Sequence, residues 1–304
     1  MTELEGVLAV LKPAGWTSHD VVAKVRRLVK MKRIGHAGTL DPEVTGVLPL
    51  CLGRATRVVE YMQDLPKEYK AVLRLGLSTD TEDLTGNVIE AVDEVKVTRA
   101  EAEETLRSFT GEISQVPPMY SAVKVDGKRL YELAREGKTV ERKSRKVNVH
   151  EIEMTGFEEQ GTYTDITFRV LCSKGTYIRT LCVDIGKKLG LPSTMAKLER
   201  TLSAGISSSK CLTLEEIEQF MADGSLHSRL IPVDEAISHL HAHTVTDEKR
   251  SAALQGQRLS AQVVSPPVKT SDCIRLYDSA DKFLGIFRKQ EESGAIAPVK
   301  VFSD

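Results

Sequence analysis

The stretch that constrains the fold most runs from Tyr163 to Gly190. Its apolar residues first alternate and then recur at helical spacing: Ile166, Phe168, Val170 and Cys172, followed by Ile178, Leu181, Cys182, Ile185 and Leu189. Alternation is typical of a strand with one buried face, and the second spacing is typical of a helix with an apolar stripe. We therefore predict a strand that enters a helix through a short loop at residues 173–176. Thr176 is a candidate cap and Gly190 a candidate stop, with Tyr177 and Arg179 in the first turn, away from the stripe.

Weaker signals of the same kind place the remaining elements. A helix is predicted over residues 18–32 with Ser18 as its cap, and a strand over residues 70–77. Two capping boxes predict helices at residues 98–109 and after Thr213. Beyond about residue 232, short strands at 258–264, 273–277 and 283–288 indicate a small β-rich module. We therefore expect an α/β (α+β) chain with one domain over residues 1–235 and a second over residues 236–304.

Charge is distributed unevenly along the chain. The net charge is only -1, but residues 12–57 carry nine lysines and arginines against three acids, and residues 124–146 carry nine against four. Two such segments could form one positive surface suited to a phosphate backbone, and the alternative is a solvated lysine face. The second segment lies in residues 115–148, where a Pro-Pro turn, a hairpin at Asp126-Gly127 and a basic helix predict a mobile arm.

Several functional classes receive no support from the sequence. No apolar run approaches the ~20 residues of a membrane span, and the first residues lack the pattern of a signal peptide, so we expect a cytoplasmic protein. Five scattered cysteines without a C-x-x-C pair suggest buried apolar residues, not disulfides or zinc ligands. Neither a phosphate-binding loop nor a dinucleotide fingerprint is present. The histidines of HLHAH lack further ligands for a metal, and the acidic run at residues 80–83 is interpreted as a solvated turn.

The segment GHAGTLDPEVTGVLPLCLGRATR, residues 35–57, holds a single unusual carboxylate, Asp41. Its prolines exclude a regular helix, and we expect an irregular segment. The residue before a proline prefers an extended conformation, so Asp41 should lean out of the turn, although an ordinary Asx turn is an equal alternative. Nearby glycines permit a close approach of another chain. A carboxylate in a partly dry cleft needs a cation to stay charged, and Arg179 is the best candidate. Such a pair would hold Asp41 ready as a nucleophile.

Five segments together resemble the TruB-type tRNA pseudouridine-55 synthases. They are KPAGWTSHDVV, GHAGTLDPEVTGVLPLCLGRATR, KEYKAVLRLGLSTDTEDLTG, VPPMYSAVKVDGKRLYELAREG and CSKGTYIRTLCVDIG. The resemblance covers about residues 6–215. It implies the pseudouridine synthase fold, a mixed and largely antiparallel sheet with flanking helices. It also implies isomerisation of a T-loop uridine of tRNA to pseudouridine, without a metal or an organic cofactor. In the second domain, LYDSADKFLGIF and APVKVF resemble a PUA domain, a small RNA-binding β-barrel.

The resemblance assigns roles to matching positions. Asp41 would be the nucleophile, Arg179 its ion-pair partner, and Tyr69 the residue that stacks on the flipped base and accepts the C5 proton. Tyr177 and Leu198 would line the uracil pocket.

Two further residues and one segment would contact the RNA outside the pocket. His36 would press into the loop that the uridine leaves, and Lys12, in the turn KPAGWTS, is expected to contact substrate. The basic arm would clamp the RNA stem through its phosphates. The chain departs from many relatives, which carry a histidine and paired arginines, at Met195 and Glu199.

Three other functions remain as alternatives. The chain could be a tRNA-folding chaperone in which catalysis is secondary, a guide-RNA-dependent synthase of the same superfamily, or a structural RNA-binding protein. The expected partner is the T arm of tRNA, with no membrane and no metal, and a monomer is expected.

Overall fold

The computed structural model describes residues 4–125 and 127–303, which form 18 strands and seven α-helices. The strands are β1 (Gly6–Lys12), β2 (Ile34–His36), β3 (Thr45–Leu52), β4 (Lys67–Leu75), β5 (Leu77–Thr79), β6 (Val88–Ala91), β7 (Gly111–Gln115), β8 (Lys124–Val125), β9 (Lys128–Arg129), β10 (Arg145–Glu159), β11 (Thr164–Cys172), β12 (Ser193–Ser203), β13 (Ile206–Ser207), β14 (His241–Val245), β15 (Val264–Ser265), β16 (Cys273–Tyr277), β17 (Phe283–Lys289) and β18 (Ile296–Val301). The helices are α1 (Ser18–Val29), α2 (Val59–Gln63), α3 (Arg99–Arg107), α4 (Leu130–Arg135), α5 (Ile178–Leu189), α6 (Leu214–Ala222) and α7 (Asp247–Leu254).

A nine-stranded sheet forms the framework of the larger part of the chain. Its strand order is β1-β3-β12-β4-β11-β10-β7, with β2 and β13 paired at its margins to β3 and β12. Among the described strands of this sheet, β3 and β12 are the one parallel pair, and their pairing covers only Thr45 with Glu199 and Gly46 with Arg200. The predicted mixed, largely antiparallel sheet is confirmed. The parallel pairing is therefore short. Arg200, at its end, also lies opposite Tyr69 in the pairing of β12 with β4.

The main apolar core lies between one face of this sheet and the helices. The alternating residues of β11 and the apolar stripe of α5 both contribute fully buried side chains, as the sequence predicts. Gly190 ends α5 in the left-handed conformation, with φ of 72°. Residues of β4 belong to the same cluster, the largest among the described residues. It therefore holds both β4, which carries Tyr69, and α5, which carries Arg179.

Three local predictions about caps and strands are wrong. Thr17, not Ser18, caps α1, because its side chain and that of Asp20 form a capping box. Thr176 does not cap α5, since its hydroxyl donates to the Ser173 carbonyl instead. The strand predicted over residues 258–264 is a 3-10 turn at residues 261–263 followed by the short β15.

The segment around Asp41 is more regular than expected. β2 and β3 flank an irregular loop at residues 37–44, and Pro49 lies inside β3. Proline has no N–H to donate, but Pro49 faces Ala37, whose N–H donates to the Pro49 carbonyl at 3.0 Å. The missing donor therefore falls just beyond the last residue of β2, where the ladder has ended.

The basic arm extends between β7 and β10. It contains the two-stranded β8–β9 ladder and the helix α4, so a hairpin and a helix are confirmed here. The helix itself is not basic, since it carries one acid, Glu132, and one base, Arg135. Asp126, at the tip of the predicted hairpin, lies outside the described residues. Lys124 and Lys143 are exposed on the arm, and Arg145 is exposed where the arm rejoins the sheet.

A separate five-stranded sheet, in the order β15-β14-β16-β17-β18, is formed by residues 241–301. It packs on the larger part of the chain through a shared buried cluster that includes Phe302 and Ile286 from this module and Val47 and Val58 from the other side. The five cysteines are all free thiols. Within the described part of the chain, no helix is both long enough and apolar enough to cross a membrane.

Candidate active site

Asp41 lies in the loop between β2 and β3, with its side chain 47% exposed. Two contacts fix the backbone on either side of it. The Ser18 hydroxyl accepts from the Leu40 N–H at 2.9 Å, and the Lys12 ammonium donates to the Pro42 carbonyl at 2.8 Å. The carboxylate is therefore held at an open surface by a loop whose flanking residues are tied down.

Lys12 was predicted to contact substrate, but its side chain does not lie at the surface. It is fully buried, and its ammonium also donates to the carbonyls of Pro13 at 2.9 Å and Trp16 at 2.6 Å. Burial lowers the pKa of Lys12 to about 8. The prediction is corrected: with all three donors used on backbone carbonyls, Lys12 ties the turn at residues 13–16 to the Asp41 loop.

Arg179 meets Asp41 from the first turn of α5. Its Nη2 lies 3.0 Å from Oδ2 of Asp41, while only 7% of its own side chain is exposed. The guanidinium also donates to the carbonyls of Tyr120 at 2.8 Å and Thr81 at 3.2 Å. Arg179 is thus buried, although it lies in the first turn of α5 away from the apolar stripe. Its fixed donors orient the carboxylate that they contact.

The acidic turn at residues 80–83 is part of the site, so its interpretation as a solvated turn is wrong. Oδ2 of Asp83 lies 3.9 Å from Nη1 of Arg179, with the Asp83 side chain 18% exposed. Glu82 accepts from the Thr180 hydroxyl at 2.8 Å, and burial raises the pKa of Glu82. The composition of the run indicated solvation, and nothing in its spacing indicated that it folds against α5.

Tyr69 lies on β4, belongs to the main buried cluster and is 8% exposed. Burial raises the pKa of its phenol, the positive charge of Arg200 partly opposes this rise, and the charge of Asp41 adds to it. Arg200 is opposite Tyr69 in the pairing of β12 with β4.

Arg200, like Asp83, was not identified as a site residue from the sequence. It is 1% exposed, and its guanidinium donates to the carbonyls of Val47 at 2.9 Å, Gly38 at 3.1 Å and Thr39 at 3.2 Å. Gly46 permits this packing, since a Cβ there would lie 2.2 Å from the Arg200 carbonyl oxygen. Arg200 therefore braces both ends of the Asp41 loop.

The remaining predicted residues surround this group. Leu198 is 9% exposed on β12, two positions before Arg200, and Tyr177 occupies the position before α5. His36 ends β2, and its ring meets that of His19 edge to face with centroids 5.9 Å apart. Burial lowers the pKa of His36, which favours the neutral ring.

The two departures from many relatives also have defined places. Met195 is buried on β12, and its N–H donates to the Glu82 carbonyl at 3.1 Å. Glu199 is partly exposed in the short parallel contact with β3. The backbone at position 195 thus holds the acidic turn beside Arg179, a contact that does not depend on the methionine side chain.

Chemically, the site offers an exposed carboxylate, a buried guanidinium that orients it, and a buried phenol. Such a set suits nucleophilic catalysis with proton transfer. Across residues 4–125 and 127–303, no group of three or more His, Cys, Asp or Glu side chains is arranged to hold a metal ion.

The chain is similar to known proteins along its whole length. Residues 26–178 match the TruB family pseudouridylate synthase N-terminal domain, and residues 179–238 match the tRNA pseudouridylate synthase B C-terminal domain. The chain is 49% identical over 260 residues to tRNA pseudouridine synthase B of Geobacillus thermodenitrificans, a match that covers 84% of this chain and 86% of that protein. It is 44% identical over 304 residues to tRNA pseudouridine synthase B of Bacillus licheniformis, with 97% of each chain covered.

Solved structures show the same relationship at lower identity. A crystal structure of a Cbf5-Nop10-Gar1 complex contains a chain with a TM-score of 0.77 and 28% identity, covering 99% of this chain and 85% of that one. A structure of an H/ACA RNP bound to a substrate RNA containing 2'-deoxyuridine gives a TM-score of 0.76 and 26% identity, covering 99% and 86% of the two chains. Sequence motifs, fold and relatives agree, and the chain belongs to the TruB family of pseudouridylate synthases, as an RNA uridine isomerase that acts on tRNA.

Proposed function

We propose that the chain converts one T-loop uridine of tRNA, position 55, to pseudouridine, with Asp41 as the nucleophile. The observation that carries this proposal is the ion pair of Asp41 with Arg179 at 3.0 Å. It combines a half-exposed carboxylate with a buried guanidinium. An exposed carboxylate can reach a base that has left the RNA stack, while the buried partner fixes its direction.

The reaction exchanges one bond of the ribose for another. Asp41 bonds to C1′ or to the uracil ring while the N1–C1′ bond of uridine breaks. The uracil then turns, its C5 bonds to C1′, the bond to Asp41 breaks and frees the carboxylate, and N1 takes up a proton. The C5 proton must then leave, and Tyr69 is the proposed acceptor. Leu198 and Tyr177 would line the pocket and exclude water while the uracil is detached. His36 would occupy the space in the loop that the flipped uridine vacates.

The RNA stem would be held by the arm and by the C-terminal module. Exposed cations on and beside the arm, among them Lys124, Lys143 and Arg145, suit phosphate contacts that fix register without reading sequence. We propose residues 1–235 as the catalytic domain and residues 236–304 as a PUA-like RNA-binding domain. The chain would act in the cytoplasm, as a monomer.

Two of the alternatives are less well supported. The first is the guide-RNA-dependent synthase. The solved structures of assemblies with Nop10 or of an H/ACA RNP contain chains that are 26–28% identical to this one, whereas relatives named tRNA pseudouridine synthase B reach 42–49%. The second is a structural RNA-binding protein. Such a protein would not need a carboxylate, a buried arginine and a buried phenol close together.

A mapping experiment tests the substrate assignment. The purified chain alone is incubated with an unmodified tRNA transcript, and pseudouridine is located by carbodiimide-dependent stops of reverse transcription. We expect one product, at position 55, and none in a matched transcript that carries cytidine there. Pseudouridine at other positions, or formation only after a guide RNA is added, would contradict the proposal.

A further inference from the structure

Gln115 joins the base of the arm, at the end of β7, to the start of α5. Its side chain is 2% exposed, and both of its polar atoms contact the backbone of Tyr177. Nε2 donates to the Tyr177 carbonyl at 3.2 Å, and Oε1 accepts from the Tyr177 N–H at 3.1 Å. A buried amide that uses both ends on one residue fixes that residue in position and orientation.

This contact holds a helix start that has no side-chain cap. Tyr177 is the N-cap residue of α5, and its side chain makes no capping hydrogen bond. A helix start without a cap frays more readily, because its first N–H groups lack partners. Arg179 lies only two residues further on, so any displacement of Tyr177 would carry the guanidinium away from Asp41.

Gln115 also marks the point where the arm leaves the sheet. It is the last residue of β7 and pairs with Arg145, the first residue of β10, so residues 116–144 form the arm between them. One arm residue returns to the same helix, since the Tyr120 carbonyl accepts from Nη2 of Arg179 at 2.8 Å. The arm therefore touches the start of α5 directly at Arg179 and, through its root, at Tyr177.

We propose that Gln115 is a positioning residue, which links the arm to Arg179 by holding the start of α5. The proposal rests on the proposed function, in which Arg179 orients Asp41 for attack and the arm holds RNA. Gln115 is buried and its amide bonds go to Tyr177, so we expect it to act through Tyr177 and not directly on the substrate. Its loss should slow the chemical step at saturation without a matching loss of RNA affinity.

The test compares Gln115→Met with Ser193→Ala. Methionine keeps the length of the side chain and removes both hydrogen bonds. Ser193 is also buried and also donates to a carbonyl of α5, that of Cys182 at 3.0 Å, but away from the first turn that carries Arg179. The single-turnover rate of tritium release from a C5-labelled T-arm stem-loop is measured with saturating protein, and the Kd for the same RNA is measured separately.

We expect Gln115→Met to lower the single-turnover rate by at least about tenfold, as displacement of a positioned group does, with less than about a threefold change in Kd. Ser193→Ala should retain the wild-type rate even if it melts at a lower temperature. Gln115→Asn, which keeps the amide one methylene shorter, should fall between wild type and Gln115→Met and provides the test if Gln115→Met does not fold.

Activity of the wild type in the same assay separates this test from that of the proposed function. The inference is overturned if the Gln115 variants match Ser193→Ala in rate, or if they weaken RNA binding while the rate at saturation stays at the wild-type value.

Discussion

Arg200 places a permanent positive charge beside the phenol of Tyr69, and both side chains are buried. Buried arginines are rare unless they are well paired, and this one is satisfied by the carbonyls of Gly38, Thr39 and Val47. Burial raises the pKa of Tyr69, and Arg200 lowers it. Arg200 therefore has two effects: it braces the Asp41 loop, and it makes the phenolate of Tyr69 easier to form.

The pH dependence of the rate separates these two effects. If Tyr69 accepts the C5 proton, the rate rises as its phenol ionises. Removing the positive charge in Arg200→Met raises the pKa of Tyr69 and displaces this rise to higher pH. A displacement of one pH unit corresponds to about a tenfold loss at a fixed pH below the pKa. Because burial holds the pKa of Tyr69 above its usual value of about 10, single-turnover rates between about pH 8 and 11 would measure it.

Two control variants accompany this measurement. Arg200→Lys keeps the charge and loses the forked contacts, so its rate should fall at every pH while the position of the rise stays close to that of wild type. Lys197→Met removes an exposed cation from the same strand and should change neither. A curve for Arg200→Met that superimposes on that of wild type would show that Tyr69 is not the group whose ionisation limits the rate.

At the scale of elements, the arm combines short secondary structure with exposed charge. Its ladder has two-residue strands, and its helix has six residues. Lys124 and Lys143 are exposed on it, and Arg145 is exposed at its root. Such cations contribute to nucleic-acid affinity through the release of counterions from phosphates, which makes the affinity depend on salt.

The arm should therefore affect binding more than chemistry. A triple variant with Lys124, Lys143 and Arg145 all changed to alanine should bind the T-arm stem-loop more weakly. The slope of log Kd against log salt should decrease by about one for each phosphate that the variant no longer neutralises. The rate at saturating protein should change little. Lys96→Ala, an exposed lysine outside the arm that pairs with Glu94, is the matched control. An unchanged salt slope in the triple variant would exclude the arm as a phosphate clamp.

The elements differ in how far the sequence predicted them. Apolar periodicity identified β11 and α5, and capping-box motifs identified α3 and α6, because local side-chain patterns determine those elements. The pairing of β3 with β12 joins segments that lie far apart along the chain, Thr45 with Glu199, and no local pattern exists for such a pairing.

The site shows the same division. The position of Asp41 before a proline and the need of its carboxylate for a cation suggested Arg179. Lys12 in a Lys-Pro turn has the same sequence signature whether it is exposed or buried. Asp83 and Arg200 were missed because their importance comes from what packs against them.

At the scale of the whole molecule, the C-terminal module is attached by a buried core instead of a flexible linker. Phe302 is 5% exposed, and the guanidinium of Arg57, from the larger part of the chain, lies 4.9 Å from its ring centroid. Arg57 also donates to the Val301 carbonyl. A module that shares a core with its neighbour keeps a fixed orientation, so RNA bound to both parts would meet a single preformed surface.

The central claim is that Asp41, held by Arg179, breaks the glycosidic bond of one uridine in tRNA. The most direct measurement is tritium release from a T-arm stem-loop labelled at uridine C5, with wild type, Asp41→Asn and Glu43→Gln. Glu43 is an exposed carboxylate in the same turn, so its variant controls for loss of negative charge. Wild type and Glu43→Gln should release tritium at similar rates, and Asp41→Asn should release none while it still binds the RNA. Release by Asp41→Asn at the wild-type rate would contradict the account. A wild type that binds without any release would leave the chaperone or the guide-RNA-dependent synthase as the function.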